Sequence, residues 1–200
     1  MKYSVNPAIG ELERAYQFFN EELFGGGLDS NVVITIQSRG RKSVLGWHWA
    51  GKWKIVDKTH LAEINLSAED LKSGDPYGIL LHEMAHHLNF QRGIRDVSKN
   101  QYHNLHFKRA AEAAGLQVMK SGRAGFGITA LGELAKEKLF EFKPERQVFE
   151  ILRIQEQARQ ITKLKKWSCA CGVNVRVARP DFSATCNLCG SLFQLKDGGS

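Results

Sequence analysis

One stretch, Tyr77–Phe90, constrains the fold of this chain more than any other. Asp75 and Pro76 suit the start of a helix here, and Gly93 suits its end. Apolar residues recur at helical spacing and predict one buried side: Leu80, Leu81, Met84, Ala85 and Leu88. We therefore expect a helix that is anchored in a core by one face.

The same stretch contains the pattern His82-Glu83-x-x-His86. On a helix, positions i and i+4 share a face about one turn apart, so both imidazoles can bind one zinc ion. Glu83 lies about 100° further round the helix and can take a proton from a water molecule whose pKa zinc lowers. The pattern is typical of zinc peptidases, with Glu83 as the catalytic base. The alternative is a chance match with two ordinary surface histidines, which the apolar helix makes less attractive.

A third zinc ligand has two candidates downstream. A catalytic zinc ion takes three protein ligands and keeps one position open. His103 and His106 are the candidates, because no other histidine lies between His87 and the C-terminus. Both can point the same way if a helix has already begun, so the residues alone leave this choice open. His87 itself is expected at the surface or behind the ligands.

The four cysteines of the chain, Cys169, Cys171, Cys186 and Cys189, lie close together in the sequence. No hydrophobic leader follows the first residue, so we expect an intracellular protein, in which this pattern indicates zinc rather than disulfides. Each cysteine pair is followed by glycine, and valines alternate with polar residues over 173–177 as in a strand. We predict a structural zinc-ribbon-like site with four thiolate ligands. The first pair has one spacer residue where two are usual, and four unrelated buried thiols are the alternative.

The net charge of +7 is carried mainly by the C-terminal part of the chain. Residues 1–142 hold 18 basic and 16 acidic side chains, whereas residues 143–200 hold ten and five. Arg176, Arg179 and the lysines of 163–166 favour DNA that is bound through its phosphates without sequence readout. The alternative is a basic surface that only keeps the protein soluble. No apolar run reaches membrane-spanning length, so we expect a cytoplasmic, DNA-associated protein.

The rest of the chain predicts an α+β fold in which a small antiparallel sheet packs with helices. The expected elements before the His-Glu-x-x-His helix are a helix over 8–24, a strand over 32–36, a hairpin over 44–55 that turns at Ala50-Gly51, a strand over 60–66 and a short helix from Ser67. Those after it are a helix over 109–115, a glycine-rich loop or linker over 119–132, and helices over 133–166 that break at Pro144. His48 is expected to point away from Trp47 and Trp49 as an ordinary sheet residue.

Three segments together resemble the SprT-like (Spartan-type) metalloprotease domain: His82-Glu83-Met84-x-His86, His103-x-x-x-Phe107-Lys108 and the run 110–116. The resemblance covers about residues 8–118 and implies a zincin-like core that cleaves proteins crosslinked to DNA. It implies His103 as the third zinc ligand and Phe107 as the residue packed behind it, and it places His106 at a variable position. The chain departs from the pattern at Asn104, where glycine is usual, and at His87, where alanine is common.

We therefore predict three parts: a metalloprotease domain over 1–142, a basic helical linker over 143–166 and a four-cysteine, zinc-ribbon-like module over 167–200. The first hypothesis is a zinc metalloendopeptidase that hydrolyses DNA-associated proteins, with one catalytic and one structural Zn²⁺. The second is a DNA-associated regulatory or adaptor protein with two structural zinc sites and no proteolysis. Glu83 argues against the second, because a structural site needs no carboxylate there. A fourth protein ligand at the histidine site would argue for it.

Overall fold

The computed structural model describes residues 4–38, 44–56, 60–72, 74–98, 100–151, 153–154 and 164–196. The chain divides into two compact units, Met1–Gln155 and Glu156–Ser200. The larger unit combines helices and strands, and the described part of the smaller unit contains short strands. Among the helices that the structure describes, none is long and apolar enough to cross a membrane.

The larger unit contains helices and strands in mixed order. In chain order they are α1 (Asn6–Phe24), β1 (Val32–Gln37), β2 (Gly46–Lys54), β3 (His60–Ser67), α2 (Pro76–Gln91), α3 (Leu105–Ala113), β4 (Leu116–Ser121), β5 (Gly125–Leu131), α4 (Glu133–Phe142) and a 3-10 turn (Arg146–Phe149). The predicted α+β class is confirmed, and α1, β1, β3 and α2 lie where the apolar periodicity placed them.

The main sheet has the strand order β1-β3-β2, and its central strand β3 is the most buried. β1 runs parallel to β3, whereas β2 runs antiparallel to it, and the two form the outer strands of this sheet as the structure describes it. Ile34, Ile64 and Leu66 lie in the core together with the apolar faces of α1 and α2. On α1 the buried residues recur at helical spacing: Ala8, Leu12, Ala15, Tyr16 and Phe19. This packing fixes α2 beside the sheet.

The predicted hairpin over 44–55 is wrong. Residues 46–54 form one strand, β2, which pairs with β3 and carries a bulge between Trp49 and Trp53. Gly51 adopts a positive φ of 59° within this bulge. The bulge takes up extra residues inside a single strand, whereas a hairpin turn would reverse the chain direction. Ala50-Gly51 therefore marks an irregular edge strand.

Two further predictions of local structure are wrong. Ser67 ends β3, and the next residues form turns rather than a helix. The glycine-rich segment 119–132 lies mostly in an antiparallel hairpin, β4–β5. Its glycines permit close backbone approach, and sequence composition alone does not distinguish that role from flexibility. The helix expected after residue 133 is confirmed as α4. The later helix, expected between Pro144 and residue 166, is wrong where the structure describes it, because Arg146–Phe149 form a 3-10 turn and a strand begins at Lys165. The part of this prediction on 155–163 lies outside the described residues.

The smaller unit is built on a three-stranded antiparallel sheet with the order β7-β6-β8. The strands are β6 (Lys165–Ser168), β7 (Asn174–Val177) and β8 (Gln194–Lys196). Trp167 is buried, its ring centroid lies 5.3 Å from that of Phe182, and Phe182 contacts Phe193 at 6.2 Å. This small aromatic cluster is a limited core, and a metal ion held by the cysteine cluster of the same unit would supply a second source of stability.

Candidate metal centre

Helix α2 presents His82 and His86 on one face because its apolar residues bury the other sides. Leu81, Met84 and Ala85 are fully buried, whereas the two histidines remain partly accessible. The ring centroids of His82 and His86 lie 5.0 Å apart, as expected for positions i and i+4. The helix therefore holds both imidazoles rigidly, one turn apart.

His103 joins them from outside any helix. It lies in the segment between α2 and α3, where its backbone N–H donates to Ala124 O and its carbonyl accepts from Phe126 N, both at 3.0 Å. These two bonds attach the segment to the start of β5. Asn104, where the family pattern has glycine, caps α3 by accepting from His106 N at 2.7 Å. The departure at Asn104 thus starts a helix and leaves His103 in place.

Glycines of the β4–β5 hairpin make room for the His103 ring. A Cβ on Gly127 would collide with His103 Nδ1, and a Cβ on Gly125 would collide with the His103 carbonyl oxygen. Gly125 also has a positive φ of 62°, which most other residues avoid. The glycine content that suggested a linker is therefore a packing requirement of this site.

The three histidines turn their Nε2 atoms towards one another. His103 Nε2 lies 3.3 Å from His82 Nε2 and 3.1 Å from His86 Nε2. His106, the other candidate, is exposed on α3 and does not belong to this cluster among the described residues. The structure thus brings together His82, His86 and His103.

Each ring is oriented by a partner at its other nitrogen. His86 Nδ1 donates to Asp96 Oδ2 at 2.8 Å, and His103 Nδ1 donates to Ala124 O at 3.2 Å. His82 Nδ1 lies 2.9 Å from Thr129 Oγ1. A ring that donates from Nδ1 carries a bare lone pair at Nε2. Lone pairs that face one another at this distance repel unless a cation lies between them.

The donor set fits a zinc ion. With Zn–N bonds of about 2.0–2.1 Å and tetrahedral angles, ligand nitrogens lie about 3.3 Å apart, close to the two separations observed here. Burial lowers the pKa of His103 to about 4 and the pKa of His82 well below its ordinary value. Both rings are therefore neutral near pH 7, which is the form that binds a metal.

Phe107 supports the three imidazoles from one side. Its ring centroid lies 4.5 Å from that of His82, 4.4 Å from His86 and 4.6 Å from His103, and its side chain is fully buried. A flat ring in contact with all three histidines limits their rotation. The resemblance implied a packing residue at this position, and the contacts show what it packs against.

Glu83 lies on α2 directly after His82 and is buried, with 4% of its surface exposed. Burial raises the pKa of its carboxyl to about 7, while the nearby His86 acts in the opposite direction. Gly46 of β2 lies against it, since a Cβ there would come within 3.0 Å of Glu83 Oε1. The carboxyl therefore lies against β2, close enough to His86 for a charge interaction, with a pKa suited to proton transfer near neutrality.

Asp96, which orients His86, is a residue of the site that sequence reasoning missed. It also accepts a hydrogen bond from Asn89 Nδ2 at 3.0 Å. Burial raises the pKa of Asp96, but the hydrogen bonds from His86 and Asn89 outweigh burial and lower it. Asp96 lies in a polar segment without periodicity. Asn89, about one turn after His86 on the same helix, was the available clue.

His87 is buried rather than exposed, with 1% of its surface accessible. Its Nδ1 lies 3.1 Å from His48 Nε2, and its Nε2 lies 3.4 Å from Asp29 Oδ1, too poorly aligned for a hydrogen bond. Burial lowers the pKa of both histidines, that of His48 to about 3. His48 points towards α2, away from the neighbouring tryptophans, as the strand alternation predicted. The pair joins β2 to α2 behind the metal centre.

The four cysteines form a second cluster in the smaller unit. Cys169, Cys171, Cys186 and Cys189 each place a sulfur within 4.8 Å of the others. Cys171 Sγ lies 3.8 Å from Cys186 Sγ, close to the value of about 3.8 Å that Zn–S bonds of about 2.3 Å give in a tetrahedron. Hydrogen bonds from Ser191 lower the pKa of Cys189 to about 6 and favour the thiolate. The shortened first pair does not prevent the sulfurs from converging.

Comparison with known proteins agrees with the geometry of the larger unit. The model of the SprT-like family matches residues 12–128, which include all three clustered histidines, Glu83, Asp96 and Phe107. Searches of curated proteins and of solved structures found no match. The family match spans more than half of the chain, and both the histidine and the cysteine clusters are able to bind metal. The chain belongs to the SprT-like family.

Proposed function

We propose that this protein is a zinc-dependent metallopeptidase that hydrolyses peptide bonds in DNA-associated proteins. The observation that carries the proposal is the convergence of three imidazoles beside the buried carboxyl of Glu83. In the described residues, no fourth histidine, cysteine or acidic residue belongs to the histidine cluster. Structural zinc sites are closed by four protein ligands, whereas catalytic sites keep one position open. This argues for an enzyme over the adaptor hypothesis.

The chemistry follows from the residues of the site. Zinc held by His82, His86 and His103 would polarise a peptide carbonyl and lower the pKa of a water molecule. Glu83 accepts a proton from the attacking water and passes it to the departing amine. Its pKa of about 7 suits both steps. Asp96 keeps the Nδ1 proton on His86 and so keeps Nε2 available for the metal.

The edge strand β2 offers a place for the substrate. Among the described strands, β2 pairs with β3 on one side only, so its other edge has backbone groups that no described strand takes up. An extended peptide that pairs with this edge gains backbone hydrogen bonds whatever its sequence. Because Gly46 of β2 contacts Glu83, such a peptide would pass close to the carboxyl. This arrangement supports a protease with broad sequence tolerance.

A row of basic residues on the smaller unit supports DNA as a partner. Lys166 of β6 lies opposite both Arg176 of β7 and Lys196 of β8, so the three point to one face. All three are exposed, and like charges opposite one another destabilise a sheet unless an anion binds them. Arg179 contributes less, because it already forms a 2.6 Å ion pair with Asp181.

The catalytic proposal is tested by Glu83→Gln in the full chain. We expect the variant to retain zinc at wild-type stoichiometry and to lose at least about 1000-fold in the cleavage rate of a DNA-binding protein such as a histone, since removing the general base of a hydrolase costs several kcal/mol. Glu137→Gln, an exposed residue of α4, is the matched control and should cleave normally. Activity near wild type in Glu83→Gln contradicts the mechanism.

The DNA part is tested separately with single-stranded DNA, double-stranded DNA or no DNA in the same assay. Cleavage that needs both Glu83 and DNA supports a DNA-dependent protease. Lys166→Glu should then weaken DNA binding and reduce the slope of log K against log salt by about one or two, because it removes a phosphate contact. A protein with two bound zinc ions that binds DNA and cleaves nothing under any of these conditions supports the adaptor hypothesis.

A further inference from the structure

Three tryptophans lie on one face of the β1-β3-β2 sheet. In the antiparallel register they stand opposite alternate residues of β3: Trp47 opposite Asn65, Trp49 opposite Glu63 and Trp53 opposite Leu61. Residues directly opposite each other point to the same face, and Ile64, between them, points to the core. His48, between two tryptophans, contacts His87 of α2. The three rings therefore point away from α2; we call them the tryptophan face.

Two rings of the tryptophan face are unusually open to solvent. Trp49 is 50% exposed and Trp53 is 45% exposed. Trp49 pairs with Glu63 and Trp53 pairs with Leu61, so four residue steps on β2 cover only two steps on β3 because of the bulge at Gly51. This brings the two positions to about 7 Å apart along the strand direction. Clustered exposed rings of this kind mark a binding surface more often than isolated ones do.

A basic side chain lies over one ring of the tryptophan face. Lys52 Nζ lies 3.8 Å from the ring centroid of Trp49, whereas Lys54, directly after Trp53 in the strand, points to the opposite face of β2. Within the three strands as the structure describes them, Glu63 is the one acidic residue. Its carboxylate is only 2% exposed and accepts hydrogen bonds from Thr35 and Gln37, each at 2.7 Å. The accessible part of these strands thus offers aromatic rings and positive charge without an exposed carboxylate.

We propose that the tryptophan face binds the unpaired bases of single-stranded nucleic acid, with Trp49 and Trp53 as stacking platforms and Lys52 on a phosphate. Stacking on aromatic side chains combined with a basic surface is the usual means of binding single strands without sequence preference. The flexible Lys52 side chain can move from the ring to a phosphate while a base takes the ring. In a duplex the bases already stack on one another and are not available to the tryptophans.

A peptide partner fits these observations less well. A peptide strand that pairs with β2 would bond to the backbone of its free edge, whereas the rings stand perpendicular to the sheet on the side away from the metal centre. In this arrangement nucleic acid occupies the outer face of β2 and a substrate peptide occupies its edge. The inference deepens the proposed function and rests on it for its biological meaning, but it is tested by binding and not by cleavage.

The test measures binding of the zinc-loaded Glu83→Gln protein, as the full chain, to labelled 15-mers by fluorescence anisotropy at fixed salt. The probes are oligothymidylate, oligouridylate, a DNA duplex and an abasic 15-mer with the same phosphates and no bases. We expect oligothymidylate to bind about tenfold or more tightly than the abasic strand, because stacking distinguishes them while phosphate contacts do not. Trp49→Ala with Trp53→Ala should abolish that preference. Phe140→Ala, which removes an aromatic ring that is 85% exposed on α4, should keep it.

The proposal is overturned if the protein with both tryptophans binds oligothymidylate and the abasic strand equally. This comparison does not depend on whether the double tryptophan variant folds. A preference that persists in the folded double variant overturns it too, because the bases are then bound elsewhere. A double variant that keeps the preference but no longer binds unfolded casein assigns the face to protein instead. Equal binding of oligothymidylate and oligouridylate supports the inference and extends it to RNA. If the wild-type protein prefers strands that carry bases but cleaves no protein, only the proposed function is contradicted.

Discussion

The carboxylate of Asp96 accepts a hydrogen bond from Nδ1 of His86 at 2.8 Å, while Nε2 of the same ring lies 3.1 Å from His103 Nε2. The ring is thus held at one nitrogen by an anion and presents the other nitrogen to the metal centre. A carboxylate in this position fixes the tautomer and makes the imidazole a better electron donor. Asn89 holds the carboxylate in turn at 3.0 Å, so the orientation of the ligand is set by residues of α2 and of the loop after it.

Asp96→Asn should weaken metal binding without unfolding the protein. The amide keeps the shape of the side chain but loses the negative charge. If its NH₂ group turns towards His86 and Asn89, donors face donors and both hydrogen bonds are lost. We expect zinc affinity at the histidine cluster to fall about 10- to 100-fold. Competition with a chromogenic chelator measures this. Asp181→Asn, which alters an exposed ion pair of the smaller unit, is the control. Unchanged affinity in Asp96→Asn would show that Asp96 does not tune the ligand.

Gly127→Ala should displace the third ligand. The added Cβ falls on His103 Nδ1, and the backbone bonds to the hairpin leave that segment little freedom to move away. We expect the zinc content to fall from two per chain to one, with the cysteine cluster still loaded, and cleavage to be lost. Gly122→Ala is the matched control, because a Cβ there meets nothing within 4 Å in the same hairpin. Two zinc ions in Gly127→Ala would mean that His103 is dispensable as a ligand.

Phe107→Ala should cost stability as well as metal affinity. Its ring is fully buried against the three imidazoles, so its removal leaves a cavity and frees the histidines to rotate. We expect a loss of about 3–5 kcal/mol in the free energy of unfolding, measured by urea denaturation of the zinc-loaded protein. Phe140→Ala, at an exposed site on α4, should change it by less than about 0.5 kcal/mol. Similar losses for the two variants would contradict the packing role of Phe107.

The sequence predicted those parts of the site that follow from periodicity. His82, Glu83 and His86 occupy fixed positions on a helix, so their relative placement follows from the helix geometry alone. The choice between His103 and His106 depends on where α3 begins, and the cap at Asn104 leaves His103 before the helix, beside His82 and His86, and His106 within it. The cap depends on one side chain, which accepts hydrogen bonds from His106 N and Phe107 N, and periodicity does not reveal such contacts.

The parts that the sequence did not predict depend on long-range contacts. The glycine content of 119–132 predicts a loop or linker where the structure has the β4–β5 hairpin, because glycine is typical of loops and also of places where two backbones approach closely. Which role applies at Gly125 and Gly127 depends on His103, which lies more than 20 residues earlier. Likewise, residues 46–54 pair with β3 and not with one another. From the sequence alone, the bulge at Gly51 cannot be distinguished from a hairpin turn, because the difference depends on the partner strand.

Cys171→Ser should affect the smaller unit alone. Its sulfur lies 3.2 Å from Cys169 Sγ and 3.8 Å from Cys186 Sγ, so a serine there removes one of four converging ligands. The aromatic cluster around Trp167 is small, so we expect a metal bound by the cysteines to supply much of the folding free energy of this unit. We expect one zinc ion per chain, rapid proteolysis beyond residue 164 and loss of the basic row as a DNA-binding surface.

The same variant separates the two units functionally. Any cleavage of an unfolded protein such as casein that the wild type shows without DNA should change little in Cys171→Ser, because the histidine cluster belongs to the other unit. Asn187→Ala, an exposed position between Cys186 and Cys189, is the control and should keep both zinc ions. A protease-resistant C-terminal region in Cys171→Ser, with zinc still at two per chain, would show that the cysteines do not hold this unit together.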